Sequence, residues 1–393
     1  MLLDIAAIQQ MLVSDGLDGW LLYDFHGSNP IASQLAGLTS GGHLTTRRWY
    51  YLIPAQGRPR GLIHAIERNN LDALPGEKTI YVGRDSLDEG LTTLLQGVIR
   101  VAMEYSPGCA IPYLSRVDAG TAEAVRARGV TIVSSGDLVQ RFEATWSPTQ
   151  LATHQRASEA LYRIKDRAFA AAAHAVKNGT PTTEYDIQQL MVGWFADEGL
   201  VSDSAPVVAV RGNAGNPHYL PTANACLPIT ADEILLLDLW GKLAEPGSVF
   251  ADITWVGFMG RQVPDRYSRA FGAAARARDA AVALVQEAAR NGRDLRGWEA
   301  DRVARQILVD DGYGDHVLHR TGHSLGEVVH GNGVHLDDYE THDDRRILPG
   351  AGFTIEPGVY FEDFGVRTEI NVFRSEHDAT VTGPSQSSIV AVI

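Results

Sequence analysis

Only two cysteines occur in 393 residues, Cys109 and Cys226, in separate segments. That scarcity excludes a disulfide framework and a thiolate metal site. Long apolar runs are also missing, and none approaches the roughly 20 residues that a membrane-crossing helix needs. The opening stretch "MLLDIAAIQQMLVSDG" has neither the basic flank nor the cleavage site of a signal peptide; the expectation is a cytoplasmic protein with no membrane partner. Positive charge is in short supply, with 34 Lys and Arg against 48 Asp and Glu. The formal charge of −14 argues against a nucleic-acid partner, whose phosphates call for a basic surface. Residues 1 to about 145 hold no glycine-rich phosphate loop, and the chain has no HExxH helix, which removes the single-zinc protease plan. What is present, 45% hydrophobic and 21% charged residues, suits a globular protein whose length suggests two domains, with three as the alternative.

Residues 1 to about 145 alternate short helical and strand patterns. Ile5, Ile8 and Leu12 share one helical face, Gly16 stops that helix, and "LDGWLLYD" follows as a buried strand. The β-rich runs "TIYV", "VIRVAMEY" and "VTIV" are separated by amphipathic stretches, which predicts an α/β domain with several parallel strand pairs. A boundary is written at "ATWSPTQLATHQ". Ser147 can cap a helix, Pro148 suits its first position and Gln150 completes a capping box. Residues 146–393 then read as helix pair, sheet, helix pair, sheet, an α+β pattern. The helices run from Pro148 to about Lys177, from about Thr183 to Glu198, and over "YSRAFGAAARARDAAVALVQEAARNG" and "RGWEADRVARQILVDDG".

Two hairpins carry inward carboxylates. In "ILLLDLWGKLAEPGSVFADITWVGFMG", Glu245-Pro246-Gly247 is a strong turn signal. A hairpin centred near Glu245 sets Asp238 directly across from Asp252 on one face. Two like charges there are destabilising without a compensating cation, unless the register is off by one and one aspartate is solvated. In "GFTIEPGVYFEDFGVRTEINVF" a turn near Asp363-Phe364 makes Glu356 and Glu369 diagonal neighbours, with Arg367 on the same face by period two. A buried Arg367–Glu369 ion pair serving structure alone is the competing reading.

Histidine is crowded into one place. Of 13 in the chain, six fall between His316 and His342, where random scatter would put about one, and "HRTGHSLGEVVH" holds three. Four inward carboxylates and one imidazole form a ligand set for two divalent cations. Such a carboxylate-rich set favours Mn²⁺, with Co²⁺ or Zn²⁺ as alternatives. Paired metals can clamp a tetrahedral intermediate, and spare histidines would hydrogen-bond the substrate.

The order Asp, Asp, His, Glu, Glu across "LLLDLWG", "ADIT", "TGHSLG", "TIEPGVY" and "VRTEI" resembles the pita-bread metallopeptidases: methionine aminopeptidase, aminopeptidase P and Xaa-Pro dipeptidase (prolidase). The resemblance covers about 150 to 393. The segment "GLDGWLLYDFHGSNPIASQLAGLTS" more loosely resembles the creatinase-like domain that minimal methionine aminopeptidases lack. It implies a creatinase-like α/β domain over 1–145 and a pita-bread catalytic domain over 146–393. It also implies Asp238, Asp252, His323, Glu356 and Glu369 as metal ligands, one metal on both aspartates and Glu369, the other on Asp252, His323, Glu356 and Glu369.

By the same resemblance His319 contacts the substrate carboxylate or the residue after the scissile bond, and His330 lies near the scissile carbonyl. His218 in "GNPHYLP" is a further active-site histidine, Arg367 matches an arginine of the proline-specific members, and Glu356 shuttles a proton to the leaving nitrogen. The expected activity is hydrolysis of Xaa-Pro dipeptides by a homodimer. Aminopeptidase P action on longer Xaa-Pro peptides is the alternative, and a non-catalytic or creatinase-like member of the fold a minor one. Three departures from the family pattern bear on the pocket: the Asp238–Asp252 spacing is fourteen rather than eleven, Ile-Asn follows Glu369, and "HRTGH" sets Arg320 near the site. His335 has no assigned counterpart; it reads as a turn histidine, with a pocket residue as the alternative.

Overall fold

The computed structural model describes residues 3–39 and 44–393. Met1 and Leu2 of the opening stretch, and Ser40 at the end of the creatinase-like segment, lie outside the described residues. The chain divides into two compact units, Met1–Glu143 and Ala144–Ile393.

The first unit contains helices α1 (Ile5–Ser14), α2 (Pro30–Leu35), α3 (Arg84–Leu94), α4 (Ala119–Arg126) and α5 (Gly136–Val139). Its strands are β1 (Gly19–Asp24), β2 (Trp49–Pro54), β3 (Arg60–His64), β4 (Glu77–Tyr81), β5 (Arg100–Met103) and β6 (Thr131–Ser134). They form one sheet in the order β4-β3-β2-β1-β5-β6. The pairs β3–β4, β1–β5 and β5–β6 are parallel, while β1–β2 and β2–β3 are antiparallel. All six residues of β1 are buried, as a strand covered on both faces requires. Inside this unit Glu104 is fully buried, with no cationic partner among the described residues. It accepts from Trp20 Nε1–H (2.8 Å), Asn29 Nδ2–H (2.8 Å) and Ser135 O–H (3.0 Å), and burial pushes its carboxyl upward.

The second unit opens with the 31-residue helix α6 (Pro148–Asn178). Ser147 Oγ accepts from Gln150 N–H and Gln150 Oε1 accepts from Ser147 N–H, the reciprocal capping the sequence announces; Gly179 ends the helix at φ 66°. Helices α7 (Glu184–Asp197), α8 (Arg211–Ala214), α9 (Asp265–Arg290) and α10 (Gly297–Asp310) follow. The strands are β7 (Leu200–Val201), β8 (Val207–Val210), β9 (Ile234–Leu243), β10 (Ala251–Phe258), β11 (Gly352–Ile355), β12 (Gly358–Tyr360), β13 (Gly365–Arg367), β14 (Ile370–Arg374), β15 (Ala379–Val381) and β16 (Val390–Ala391). Strands β16, β10 and β9 run in that order, with β7 and β8 both on the far edge of β9. A second sheet has the order β11-β14-β15, and β12 pairs with β13.

Strand alternation explains where the site lies. Odd residues of β9, Leu235, Leu237 and Leu239, pack with Leu161, Ile164 and Ala168 of α6. Even residues Ile234 and Leu236 join Val256 and Phe258 of β10 in a core with α9, α10 and β11. Farther along, the same even face carries Asp238 on β9 and Thr254 and Asp252 on β10. The face that is core at one end turns acidic at the other, still with little water: Asp238 is 9% exposed and Asp252 4%.

Both hairpin registers differ from the sequence expectation. Asp238 pairs with Thr254, and Asp252 with Trp240. The two aspartates are therefore diagonal neighbours rather than directly opposed. The reason is the seven-residue loop 244–250: Ser248 N–H donates to Glu245 O, so Pro246-Gly247 is the centre of the turn, with Gly247 at φ 75°. In the second hairpin Gly358 pairs with Arg367 and Ile355 with Ile370. That register makes Glu356 and Glu369 face each other, not diagonal, because the turn is held by Phe361 N–H to Phe364 O and centres on Glu362-Asp363. The ladder breaks at both glutamates: Glu356 N–H donates to Thr321 O (2.7 Å) and Glu369 N–H to Thr254 O (3.3 Å). The two strands are thereby tied to the other walls of the site.

Candidate metal centre

His323 lies in an extended segment beside β11. Thr354 N–H donates to His323 O (2.8 Å), Leu325 N–H to Gly352 O (2.9 Å), and Ser324 bridges to Phe353. The glycine of "TGH" is required by this contact, since a Cβ on Gly322 would overlap the Thr354 carbonyl. The imidazole is oriented on both sides. Nδ1–H donates to Ser324 O (3.1 Å), which leaves Nε2 as an unprotonated lone pair 3.5 Å from both Asp252 Oδ2 and Glu356 Oε1.

Asp252, His323 and Glu369 each offer one ligand atom, and these atoms lie within 4.8 Å of one another, all on buried residues. Glu356 adjoins the group through His323, and its Oε1 accepts from Thr354 O–H (3.2 Å). Asp238 is held differently. Arg367 Nη2 donates to Asp238 Oδ2, its Nε to Thr254 Oγ1 (2.9 Å), and its Nη1 to the Tyr360 hydroxyl (3.1 Å). The competing reading, a structural Arg367–Glu369 pair, is not what forms among the described residues: Glu369 Oε2 instead accepts from Thr254 O–H (2.7 Å).

The electrostatics are those of a site short of positive charge. Burial, then Asp238 and Glu356, pushes the Asp252 carboxyl well above the usual carboxylate range. Burial, then Asp252 and Glu356, does the same to Glu369. Burial also raises Asp238, against the pull of Arg367. Glu356 is lowered, because His323, His319 and Arg367 together outweigh its burial. One buried oxygen, Asp252 Oδ1, has no hydrogen-bond partner among the described residues, and an orphaned buried acceptor of this kind calls for an explanation. An imidazole lone pair facing two carboxylates and an orphan oxygen beside them fit a divalent cation better than any arrangement of protons.

The other sequence-singled histidines are placed unevenly. His319 Nδ1–H donates to Arg320 O (2.7 Å), and its Nε2 accepts from the Tyr360 hydroxyl at 2.6 Å. Tyr360 thus bridges His319 and Arg367. The His330 ring centre is 4.4 Å from that of His323; the residue keeps an exposed edge, yet burial of the rest and the neighbouring His323 lower its pKa to about 4. His218 is exposed, with its N–H donating to Asn216 Oδ1, and among the described residues no ring contact or side-chain hydrogen bond joins it to the cluster. His335 is not a turn histidine. It is fully buried, and its Nδ1 accepts from Ser324 N–H (3.0 Å), which fixes the residue next to His323. Tyr360 and Thr254 were missed in the sequence, although each shares strand parity with an acidic residue already assigned to the site face.

A fold of this construction, with two carboxylate hairpins meeting one histidine segment, defines a metallopeptidase scaffold. The chain belongs to metallopeptidase family M24, whose model matches residues 157–382. It is 32% identical over 213 residues to the Xaa-Pro dipeptidase of Lactobacillus delbrueckii subsp. lactis, a match covering 52% of this chain and 51% of that one. It is 26% identical over 267 residues to the probable dipeptidase PepE of Mycobacterium tuberculosis, 68% of this chain and 65% of that one. The chain thus spans about half the length of the first relative it matches. Among solved structures, the dipeptidase PepE of Mycobacterium ulcerans covers both chains completely at a TM-score of 0.67 and 21% identity. A prolidase from Thermococcus sibiricus covers 98% of both at a TM-score of 0.60 and 19% identity. These likenesses show a shared fold over the whole chain. No helix among the described residues is long and apolar enough to cross a membrane.

Proposed function

We propose that this protein is a metal-dependent Xaa-Pro dipeptidase, with Asp238, Asp252, His323, Glu356 and Glu369 holding two divalent cations, Mn²⁺ by preference. The observation that carries this reading is the lone pair of His323 Nε2, 3.5 Å from both Asp252 and Glu356, beside the orphaned Asp252 Oδ1. Bound cations would polarise the scissile carbonyl and lower the pKa of the attacking water.

The chain's own residues supply the rest. Glu356, the one cluster carboxylate whose pKa is lowered, is ionised and can take a proton from water and return it to the imide nitrogen of proline. His330, neutral and beside His323, donates to the carbonyl oxygen as charge develops. His319 and Arg367 hold the free carboxylate of the substrate. Arg367 directs three of its five N–H groups to Asp238, Thr254 and Tyr360, which leaves two for that carboxylate. His218, on its exposed loop, is the further active-site histidine of this reading. A buried cationic anchor for the chain end favours dipeptides, since a third residue would leave it unpaired. The same reading expects a cytoplasmic homodimer.

The test compares Ala-Pro with Ala-Pro-Ala as substrates of the Mn²⁺-restored protein. Rapid hydrolysis of the dipeptide and slow hydrolysis of the tripeptide is the expected result. Equal or better use of Ala-Pro-Ala would assign the protein to aminopeptidase P action instead.

A further inference from the structure

We infer that Asp203 is a specificity residue of this site, selecting a cationic Lys or Arg side chain on the residue before the scissile bond. The inference rests on the Xaa-Pro reading above and deepens it.

The placement follows from strand register. Strands β7 and β8 lie on the same edge of β9 but in different registers. Leu200 pairs with Leu243 and Val201 with Lys242, whereas Val207 pairs with Asp238. Residues 202–206 therefore bulge between the two short strands. Asp203 lies in this bulge, and Trp240 of β9 pairs with Asp252 of β10. Trp240, an even residue of β9, shares a face with Asp238, Thr254 and Asp252. That face is the one carrying Asp238 and the metal-ligand candidates.

The side chain is fixed there. Trp240 Nε1–H donates to Asp203 Oδ1 at 2.7 Å. Asp203 is exposed, and among the described residues its Oδ2 accepts no hydrogen bond and no Lys or Arg pairs with it. A half-buried indole on the site face thus holds an exposed carboxylate, while Asp252 Oδ1 on the same face is buried and orphaned.

Distance decides which cation it meets. Asp203 is held at the indole nitrogen of Trp240, at the far end of that side chain, whereas Asp252 is the cross-strand neighbour of its backbone. The α-amino group of a dipeptide lies one residue from the scissile carbonyl and cannot be at Asp252 and at Asp203 together. A Lys or Arg side chain, with its long flexible stem, spans the gap, and its methylenes can lie along the Trp240 ring.

The experiment uses the full-length, Mn²⁺-loaded protein with Lys-Pro and Leu-Pro, reading kcat/KM and calorimetric binding for wild type, Asp203→Asn and Trp240→Phe. The Lys-Pro to Leu-Pro ratio is expected to favour Lys-Pro in wild type and to fall about tenfold in Asp203→Asn, the effect of one charge contact of ~1.4 kcal/mol. Trp240→Phe keeps the charge but loses the donor, so a smaller fall of about threefold is expected. In wild type the preference should shrink as salt is raised, because the pair is exposed. A ratio that stays within twofold of wild type in Asp203→Asn, with the variant folded by its melting curve, overturns the inference. If no Xaa-Pro dipeptide is cleaved at all, the dipeptidase reading falls, and the binding ratio still judges Asp203 by the same threshold.

Discussion

The Nε2 atom of His323 lies 3.5 Å from Asp252 Oδ2, while its Nδ1–H is bound to the Ser324 carbonyl. A neutral imidazole nitrogen and a carboxylate oxygen both present lone pairs, so this approach is favourable only when a proton or a cation lies between them. In metal-free protein that role falls to protons.

The first prediction follows from linkage. Asp252 and Glu369 titrate well above their ordinary values of 3.8 and 4.5 in the metal-free fold. The folded metal-free protein thus binds protons that the unfolded chain has already lost, and the contribution of these groups to stability falls as pH rises above the ordinary carboxylate range. Metal binding requires the ionised forms and releases those protons, so affinity weakens as pH drops. Melting with Mn²⁺ and with a chelator should show a larger gap at pH 8 than at pH 5.5. At a metal concentration near a thousandfold Kd the gap amounts to about 4 kcal/mol. A gap that does not widen with pH would count against Asp252 and Glu369 as ligands.

Glu356→Gln should lower kcat for Ala-Pro by at least about 100-fold, the usual scale of a lost acid–base group. Because Gln keeps the shape and the Thr354 contact, the melting temperature of the metal-free variant should stay close to wild type. Normal turnover would remove Glu356 from its role as proton carrier.

His154 predicts acid sensitivity of the catalytic unit by a route separate from the metals. It is fully buried on α6, with Nδ1 bound to Phe250 O (2.8 Å) and Nε2 to Thr382 Oγ1 (2.7 Å), and burial lowers its pKa from 6.5 to about 4. Between those pH values the unfolded chain is protonated at this position and the folded protein is not. Stability is therefore fully present above about pH 6.5 and is lost as pH falls toward 4, by up to ~3 kcal/mol. Denaturant melts at pH 7 and pH 4.5 should show a smaller difference for His154→Gln than for wild type. An unchanged difference would show that His154 does not carry the effect.

Glu184 is expected to hold the loop that bears His218. Its buried carboxylate accepts from Val210 N–H (2.8 Å), Asn213 Nδ2–H, the Tyr219 hydroxyl (2.5 Å) and Leu227 N–H (2.7 Å). Glu184→Ala strands those donors at about 1–3 kcal/mol of local stability. Limited proteolysis should then cut within 211–228 much faster than in wild type, and KM for Ala-Pro should rise more than kcat falls. Equal cleavage rates would mean the loop is held by other contacts.

Much of this was legible in the sequence, because the fold obeys local rules. Ser147, Gln150 and Gly179 mark the ends of α6 without any tertiary information. The face occupied by each acidic residue was also readable. Both hairpin centres were misplaced, but each error changed the pairing sum by two, which preserves parity and leaves every side chain on its proper face. What could not be read were contacts between segments far apart in the chain. The Arg367–Asp238 pair spans 129 residues and the Thr254–Glu369 bond 115. His335 is fixed by a backbone N–H of an irregular segment whose path no periodicity encodes. Tyr360 was within reach, four residues after Glu356 on the same face, but an aromatic in a strand more often signals core.

The most direct measurement titrates Mn²⁺ into metal-stripped protein while Ala-Pro hydrolysis and bound metal are followed together. Turnover absent in the stripped protein, rising to a plateau near about two equivalents per chain, and abolished in Asp252→Asn, is the expected outcome. Full turnover without metal, or an identical titration curve for Asp252→Asn, would contradict a dinuclear site built on these five residues.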